Sequence, residues 1–189
     1  MTNLGASEFE EQVTLHDVVN VLHRIIMVLK IKAEIKRYIT ELGTEGRLIS
    51  MQLEELVANT EHEAYLVIKD YGRDIQDDKM KEILTLIKRA TSDELLEQNQ
   101  IIRMLGFPLS NSILEEPVSP RGYRVLHKIP RLPTVIINNL VENLEYLPHI
   151  MMATIEELDE VDGIGEVRAR TIKEGLKRIQ EQVFIDRHI

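Results

Sequence analysis

One short segment of the chain carries residue types that could bind an anion. Gly163 and Gly165 bracket Ile164, with an acidic helix predicted before them and a basic helix after them. Glycine accepts positive φ angles without steric cost, so both glycines are expected to adopt them in a tight turn. The second helix then begins with N–H groups that have no partner, and these groups and the helix dipole favour a phosphate. Ile164 is predicted to fill the core beneath the turn.

Basic residues follow this turn at Arg168, Arg170 and Lys173. A Gly-x-Gly alone more often marks an ordinary turn. With the apolar residue and the basic helix, however, the segment resembles the helix-hairpin-helix motif, which binds nucleic-acid backbone without reading bases. The predicted DNA-binding residues are Gly163, Ile164, Gly165, Val167, Arg168, Arg170, Lys173 and Arg131. A monovalent cation on the backbone carbonyls of Val161 and Ile164 is a further hypothesis, and no other metal site or catalytic residue is predicted.

A second copy of this segment lies 32 positions earlier, where residues 129–135 align with residues 161–167. The aligned pairs are Leu126 with Leu158, Leu132 with Ile164, Val135 with Val167, Leu140 with Ile172, Glu142 with Glu174, and Leu144 with Leu176. Apolar positions that repeat in register indicate a duplicated unit with a shared core.

The two copies differ in the groups they offer to a phosphate. Pro130 and Pro133 stand in the first turn, with Pro133 at the position of Gly165, and proline has no N–H to donate. Arg131 is then the one obvious phosphate ligand of the first copy. We therefore expect the second hairpin to make most of the DNA contacts. Leu132 is expected to support the shared core as fully as Ile164 does.

Composition limits the classes of protein. The 189 residues are 43% hydrophobic, which suffices for a core, and include no cysteine, which excludes disulfides and thiolate chemistry. No apolar run reaches the roughly 18 residues of a membrane span. These features predict a soluble, cytoplasmic protein without a membrane partner.

The net charge of −9 is unevenly distributed along the chain. From residue 121 onward, ten Lys and Arg face eleven Asp and Glu, whereas residues 1–120 carry thirteen against twenty-one. Because local field decides where a phosphate binds, the near-neutral hairpin region remains a candidate DNA site. Its affinity should be modest and strongly salt-dependent.

Helical spacing of apolar residues recurs along the chain, and no alternating strand pattern emerges. The chain is therefore predicted to be all-α, a helical bundle or spine followed by a tandem helix-hairpin-helix domain. Predicted helices cover residues 14–42, 47–58, 61–71, 78–88, 93–105 and 155–161. Capping-box patterns at residues 60–63, 91–94 and 154–157 predict helix starts.

Helix breakers concentrate between residues 106 and 122, which predicts a domain boundary. The predicted domains are an acidic spine at residues 1–105, a linker at 106–118 and a DNA-binding domain at 119–189. Five methionines are interpreted as core residues: Met27, Met51, Met104, Met151 and Met152.

Two further runs are specific enough to indicate a family. They are VSPRGYRVLHKIPRLP at residues 118–133 and LGTEGRL at residues 42–48. With the hairpin segment, they resemble the DNA integrity scanning (DisA) family of spore-forming bacteria, over essentially the whole chain but only the later two-thirds of the family's length. The resemblance implies a checkpoint protein of the nucleoid, acting in DNA damage and repair, that scans branched DNA as an octamer.

The family also places a diadenylate cyclase domain first, which joins two ATP molecules into cyclic di-AMP with Mg²⁺ or Mn²⁺. The cyclase's Asp-Gly-Ala and Arg-His-Arg motifs are absent from this chain. The resemblance therefore implies a DNA-binding, homo-oligomeric part with no enzymatic activity and no cofactor of its own.

Two alternatives remain open at this stage. Helix-hairpin-helix glycosylases carry a catalytic Asp about twenty residues beyond the hairpin, and Asp186 falls there, although the preceding helix lacks the break that would position it. The chain could instead be an oligomerisation or protein-interaction scaffold without DNA contact, as its long apolar first helix would suit. Gly163 and Gly165 beside Arg168 and Arg170 favour DNA binding, because a pure scaffold has no need to place them together.

Overall fold

The computed structural model describes residues 13–41, 43, 46–90 and 97–187. Ten α-helices lie within these residues: α1 Leu15–Glu41, α2 Gly46–Val57, α3 Thr60–Tyr71, α4 Asp77–Ala90, α5 Gln98–Met104, α6 Tyr123–Leu126, α7 Thr134–Leu144, α8 Leu147–Met152, α9 Ile155–Asp159 and α10 Glu166–Arg187. Extended pairing in this part of the chain is limited to one isolated bridge between Thr14 and Pro117. The all-α prediction is therefore confirmed. No helix among the described residues is long and apolar enough to cross a membrane.

Contacts divide the chain into two compact units. The bundle unit comprises His16–Ile68 and Gly72–Glu115. In its described part, the hairpin unit comprises residues 13–15, Lys69–Tyr71 and 116–187. The predicted limits at 1–105, 106–118 and 119–189 stay a prediction.

The bundle unit buries the apolar faces that helical spacing predicts. On α1, Val18, Leu22 and Ile26 recur every four residues and are fully buried. Other buried residues of this unit are Leu53, Val57, Val67, Ile68, Met80, Ile83, Ile87, Ile101 and Ile102. Gly43 follows α1 with a φ of 63°, a left-handed conformation that is typical of the glycine that ends a helix.

Two local predictions for the bundle unit are wrong: the capping box at residues 60–63 and the extent of the helix predicted at residues 93–105. Helix α3 begins one residue earlier than the capping-box pattern required, with Asn59 at the N-cap and no side-chain cap bond. The pattern at residues 91–94 lies outside the described residues. Helix α5 is shorter than the predicted 93–105, and Gln100 accepts the Glu97 N–H at its start.

The methionines do not all lie in the core. Met104 is buried, but Met27, Met51 and Met152 are exposed, Met152 to 83%. Methionine is unbranched and adaptable, so its presence at helical spacing does not distinguish a core position from a surface one.

The hairpin unit contains the duplicated segment as two helical hairpins. The first hairpin is α6 and α7 with the turn between them, the second is α9 and α10 with theirs, and α8 connects the two. Thr154 Oγ1 accepts the Glu157 N–H at 3.2 Å, and Glu157 Oε2 accepts the Thr154 N–H at 2.7 Å. The capping box predicted for α9 is thus confirmed, although α9 ends at Asp159 rather than at 161.

Burial repeats at the same 32-residue interval as the sequence. The buried pairs are Leu126 and Leu158, Ile129 and Val161, Ile137 and Ala169, and Leu140 and Ile172. Three aligned pairs differ from the expectation of a common buried face. Val135 and Val167 are both exposed, whereas Leu132 and Leu144 are only half-buried although their partners Ile164 and Leu176 are buried.

Candidate nucleic-acid interface

The turn of the second hairpin presents unpaired donors at the start of α10. Ile164 donates its N–H to the Val161 carbonyl at 2.9 Å and is buried, as predicted. The helical bonding of α10 starts with Ala169 N–H to the Gly165 carbonyl at 3.0 Å. Since the first N–H groups of a helix have no acceptor within it, Glu166, Val167 and Arg168 present theirs at the turn.

The two glycines of this turn have different structural roles. Gly163 has a φ of 79°, whereas Gly165 does not have a positive φ, so the prediction that both glycines adopt one is wrong for Gly165. A Cβ on Gly163 would lie 2.7 Å from Cδ1 of Ile136, which belongs to the first hairpin. A Cβ on Gly165 would meet only Oδ1 of Asp159, at 3.9 Å. Glycine is thus favoured at position 163 by the positive φ and by the close packing against Ile136. At position 165 the space that a side chain would occupy, at the start of α10, is open.

The three predicted cations of the second hairpin are Arg168, Arg170 and Lys173, and each side chain bonds to a different group of the protein. Arg168 donates from Nη1 to the Gly163 carbonyl, so its guanidinium folds back over the turn. Arg170 pairs with Glu166 at 2.6 Å, and this carboxylate raises the pKa of Arg170 above its ordinary value. Lys173 donates to the carbonyls of Met151 and Ala153, both at 2.7 Å. The Lys173 ammonium therefore fixes the end of α8.

The turn of the first hairpin repeats the backbone of the second. Arg131, which aligns with Gly163, has a φ of 63° although it is not glycine. Leu132 donates to the Ile129 carbonyl at 3.4 Å, and Ile137 donates to the Pro133 carbonyl at 3.1 Å. These bonds align with those of Ile164 and Ala169.

The first hairpin therefore retains donors that the sequence analysis discounted. Helical bonding in α7 starts at Ile137, so the N–H groups of Thr134, Val135 and Ile136 precede it. Pro133 removes the donor that Gly165 has in the second hairpin, and Pro130 removes the one that Asp162 has. The first turn therefore lacks two N–H donors and one side-chain cation relative to the second, but it keeps the three N–H groups at the start of α7.

The two hairpins are held together by close contacts at both turns. Asn139 on α7 donates from Nδ2 to the Asp162 carbonyl at 2.8 Å. On α10, a Cβ added to Gly175 would lie 2.9 Å from Cγ2 of Ile129, so the absent side chain lets the two elements approach closely. Each turn is thereby supported by the second helix of the other hairpin.

Asp70 is a positioning residue that the sequence analysis missed. It is 1% exposed, and its carboxylate accepts the backbone N–H groups of Gly122, Tyr123 and Arg124 at 2.9, 2.6 and 3.1 Å. These are the donors at the start of α6, so Asp70 acts as a cap from a distant part of the sequence. Arg121 adds a bond from Nη1 to the Lys69 carbonyl at 3.0 Å.

Charge is segregated within the hairpin unit. Residues 121–131 contain four Lys and Arg and no Asp or Glu, whereas residues 142–162 contain seven Asp and Glu and no Lys or Arg. A polyanion would be attracted to the first of these segments and repelled by the second.

The remaining predicted sites gain little support. The Val161 carbonyl, one of the two proposed cation ligands, already accepts the Ile164 N–H, so the cation site stays a hypothesis. Among the described residues, no group of three or more His, Asp or Glu could hold a metal ion. Helix α10 continues unbroken to Arg187, so Asp186 does not begin a following helix as the glycosylase alternative requires.

Comparison with known proteins finds sequence matches in one family. Residues 1–114 match the family model described as the DisA bacterial checkpoint controller linker region. The chain is 58% identical over 182 residues to the DNA integrity scanning protein DisA of Carboxydothermus hydrogenoformans, covering 96% of this chain and 51% of that protein. It is 53% identical over 188 residues to the proteins of the same name from Bacillus thuringiensis and Bacillus cereus, covering 100% of this chain and 52% of each. The chain spans about half the length of the curated relatives it matches, which is less than the two-thirds expected from the resemblance.

Proposed function

Because this chain belongs to the DisA family of DNA integrity scanning proteins, we propose that its hairpin unit binds the backbone of duplex and branched DNA without sequence specificity. The observation that carries the proposal is the repeated turn. Arg131 and Gly163 share a left-handed conformation 32 residues apart, and each is followed by a helix whose first N–H groups face the turn. Two such turns offer two phosphate sites on one compact unit.

The proposed contacts are chiefly backbone groups. In the second hairpin they are the N–H groups of residues 165–168, with Ile164 supporting the turn from beneath and the Arg168 and Arg170 guanidinium groups beside it. In the first hairpin they are the N–H groups of residues 134–136, with Arg131 as the cation. Backbone donors contact phosphates and carry no base information, so binding should be similar for all sequences. Lys173 contributes through the position of α8 rather than by direct contact, because two carbonyls already occupy its ammonium.

The family assignment extends the proposal to the role of the whole protein. We propose that this chain supplies DNA recognition to a homo-oligomeric checkpoint protein of the bacterial cytoplasm and nucleoid, in which a diadenylate cyclase domain makes cyclic di-AMP. ATP and Mg²⁺ or Mn²⁺ would serve that domain. Purified chain incubated with ATP and either metal should yield no cyclic di-AMP, and detection of the product by chromatography would contradict this assignment.

A salt titration of DNA affinity tests the binding proposal. The dissociation constants of the full chain for a duplex and a four-way junction are measured at several salt concentrations. Arg168→Ala should weaken binding to both DNAs and lower the salt slope by about one unit, since one phosphate contact is lost. Arg24→Ala, which removes the same charge from an exposed position of the bundle unit, is the matched control and should leave both quantities unchanged. Equal affinities for the parent and the Arg168 variant would reject the interface.

One observation favours a scaffold role as the second candidate. The bundle unit exposes large apolar side chains on α1 and α2, among them Ile31, Tyr38, Leu48 and Leu56. Exposed apolar surface of this kind commonly marks a protein interface. Absence of DNA binding, together with concentration-dependent association in sedimentation experiments that Leu56→Lys abolishes, would favour this alternative.

A further inference from the structure

The duplicated hairpins expose an apolar side chain at the same place in each turn. Val135 is the second residue of α7 and Val167 the second residue of α10, 32 positions apart. They are 66% and 81% exposed, whereas the aligned pairs Leu126 with Leu158 and Leu140 with Ile172 are buried. Both copies of the repeat thus have an exposed valine at the same position, just as both have buried residues at the aligned core positions.

Neither burial in the core nor helix propensity explains why valine occupies positions 135 and 167. A valine in the first turn of a helix loses side-chain freedom and is a weaker helix former than alanine, lysine or glutamate. A single exposed valine is ordinary on a protein surface, but a matched pair beside the two proposed phosphate sites is a feature of those sites.

Helix geometry places both side chains next to the donors. The Cα–Cβ bonds of a helix tilt toward its N-terminus, so a side chain in the first turn lies at the end where the unpaired N–H groups are. A phosphate held there would bring its deoxyribose against the isopropyl group.

We propose that Val135 and Val167 are specificity-determining residues that make apolar contacts with the sugar and base next to each bound phosphate. This inference rests on the proposed function, because it assumes that DNA lies at the two turns. In a stacked duplex the two valine side chains contact only the deoxyribose. Where stacking is interrupted, as at a junction, an unstacked base offers them its apolar face, and binding is correspondingly tighter.

The test replaces one methyl group of each valine by a hydroxyl. The double variant Val135→Thr/Val167→Thr keeps the branched shape at two exposed positions, so its thermal unfolding should match that of the parent. Its affinity for a four-way junction should fall about fivefold, from the lost apolar burial, and its affinity for a duplex should fall less. Its salt slope should equal that of the parent, since no phosphate contact is removed.

Two further variants complete the comparison. Val135→Ile/Val167→Ile retains the apolar surface and should bind the junction at least as tightly as the parent. Val28→Thr makes the same change at an exposed valine on α1 of the bundle unit and should bind like the parent. Parent-like junction affinity of the threonine double variant, a changed salt slope in it, or an equal loss in Val28→Thr would overturn the inference and leave the proposed function intact. If the parent itself bound neither DNA, the proposed function would fail and the inference with it.

Discussion

The carboxylate of Asp70 accepts the backbone N–H of Tyr123 at 2.6 Å, across 53 positions of sequence. The neighbouring N–H groups of Gly122 and Arg124 bind the same carboxylate. The start of α6, and with it the first hairpin, is thus held by a residue at the end of α3. Since this cap is supplied from outside the hairpins, their arrangement depends on a segment that neither copy of the repeat contains.

Asp70→Ala should destabilise the protein by about 2–4 kcal/mol, because three donors lose a charged acceptor in a buried place. Asp70→Asn, which retains one acceptor oxygen, should lose less. Urea unfolding of the full chain measures both variants. Glu142→Ala removes an exposed carboxylate from the same unit and should shift stability by less than about 0.5 kcal/mol. Equal unfolding midpoints for the Asp70 and Glu142 variants would show that the cap is dispensable.

The two apolar residues of the turns should differ in their effect on stability. Ile164 is buried, whereas the aligned Leu132 is half-buried, so the expectation that both support the core equally is revised. Ile164→Ala should cost about 2–4 kcal/mol and Leu132→Ala distinctly less, since the cost follows the burial that is lost. Chemical denaturation of both variants under the same conditions measures the difference, and a larger loss for Leu132→Ala would contradict the burial.

Sequence patterns were sufficient for the helices and for the repeat. A buried helical face leaves an apolar residue every three or four positions, and this pattern located α1, α2 and α4 to within a few residues. The 32-residue register of the sequence also identified the aligned turns. These features are local, or they repeat at a fixed interval, so they can be found by examining one chain.

Other features of the site depend on tertiary packing and leave no such pattern. The contact of Asp70 with residues 122–124 joins distant parts of the chain, and nothing near Asp70 indicates it. The left-handed conformation of Arg131 was missed because arginine does not favour it, and it emerges from the alignment with Gly163 only when the backbone is known. Lys173 was assigned to DNA on charge alone, while its ammonium is bound by the carbonyls of Met151 and Ala153.

Alanine substitutions of Gly163 and Gly165 test protein stability and DNA binding separately. Gly163→Ala should cost about 1–3 kcal/mol, because alanine is strained at a φ of 79°, and its Cβ would also press on Ile136. Gly165→Ala has room for its methyl group and should cost less than about 1 kcal/mol. It should nonetheless weaken duplex and junction binding several-fold, since the methyl group lies in front of the donors. Thermal unfolding and DNA titration measure the two effects, and undiminished DNA affinity of Gly165→Ala would argue against phosphate contact at this turn.

Arg131→Gly should change stability and DNA affinity in opposite directions. The residue adopts a left-handed conformation that glycine accepts freely, so relief of this strain should stabilise the hairpin unit by about 0.5–1 kcal/mol, after the entropy cost of glycine in the unfolded chain. Loss of the cation should weaken DNA binding and lower the salt slope by about one unit.

The affinity loss should be smaller than for Arg168→Ala, because the Gly163 carbonyl holds the Arg168 guanidinium over the turn before DNA arrives. Arg131→Ala, which removes the charge and keeps the strain, isolates the electrostatic part. Equal losses of affinity for the Arg131 and Arg168 variants would show that the two hairpins bind DNA symmetrically.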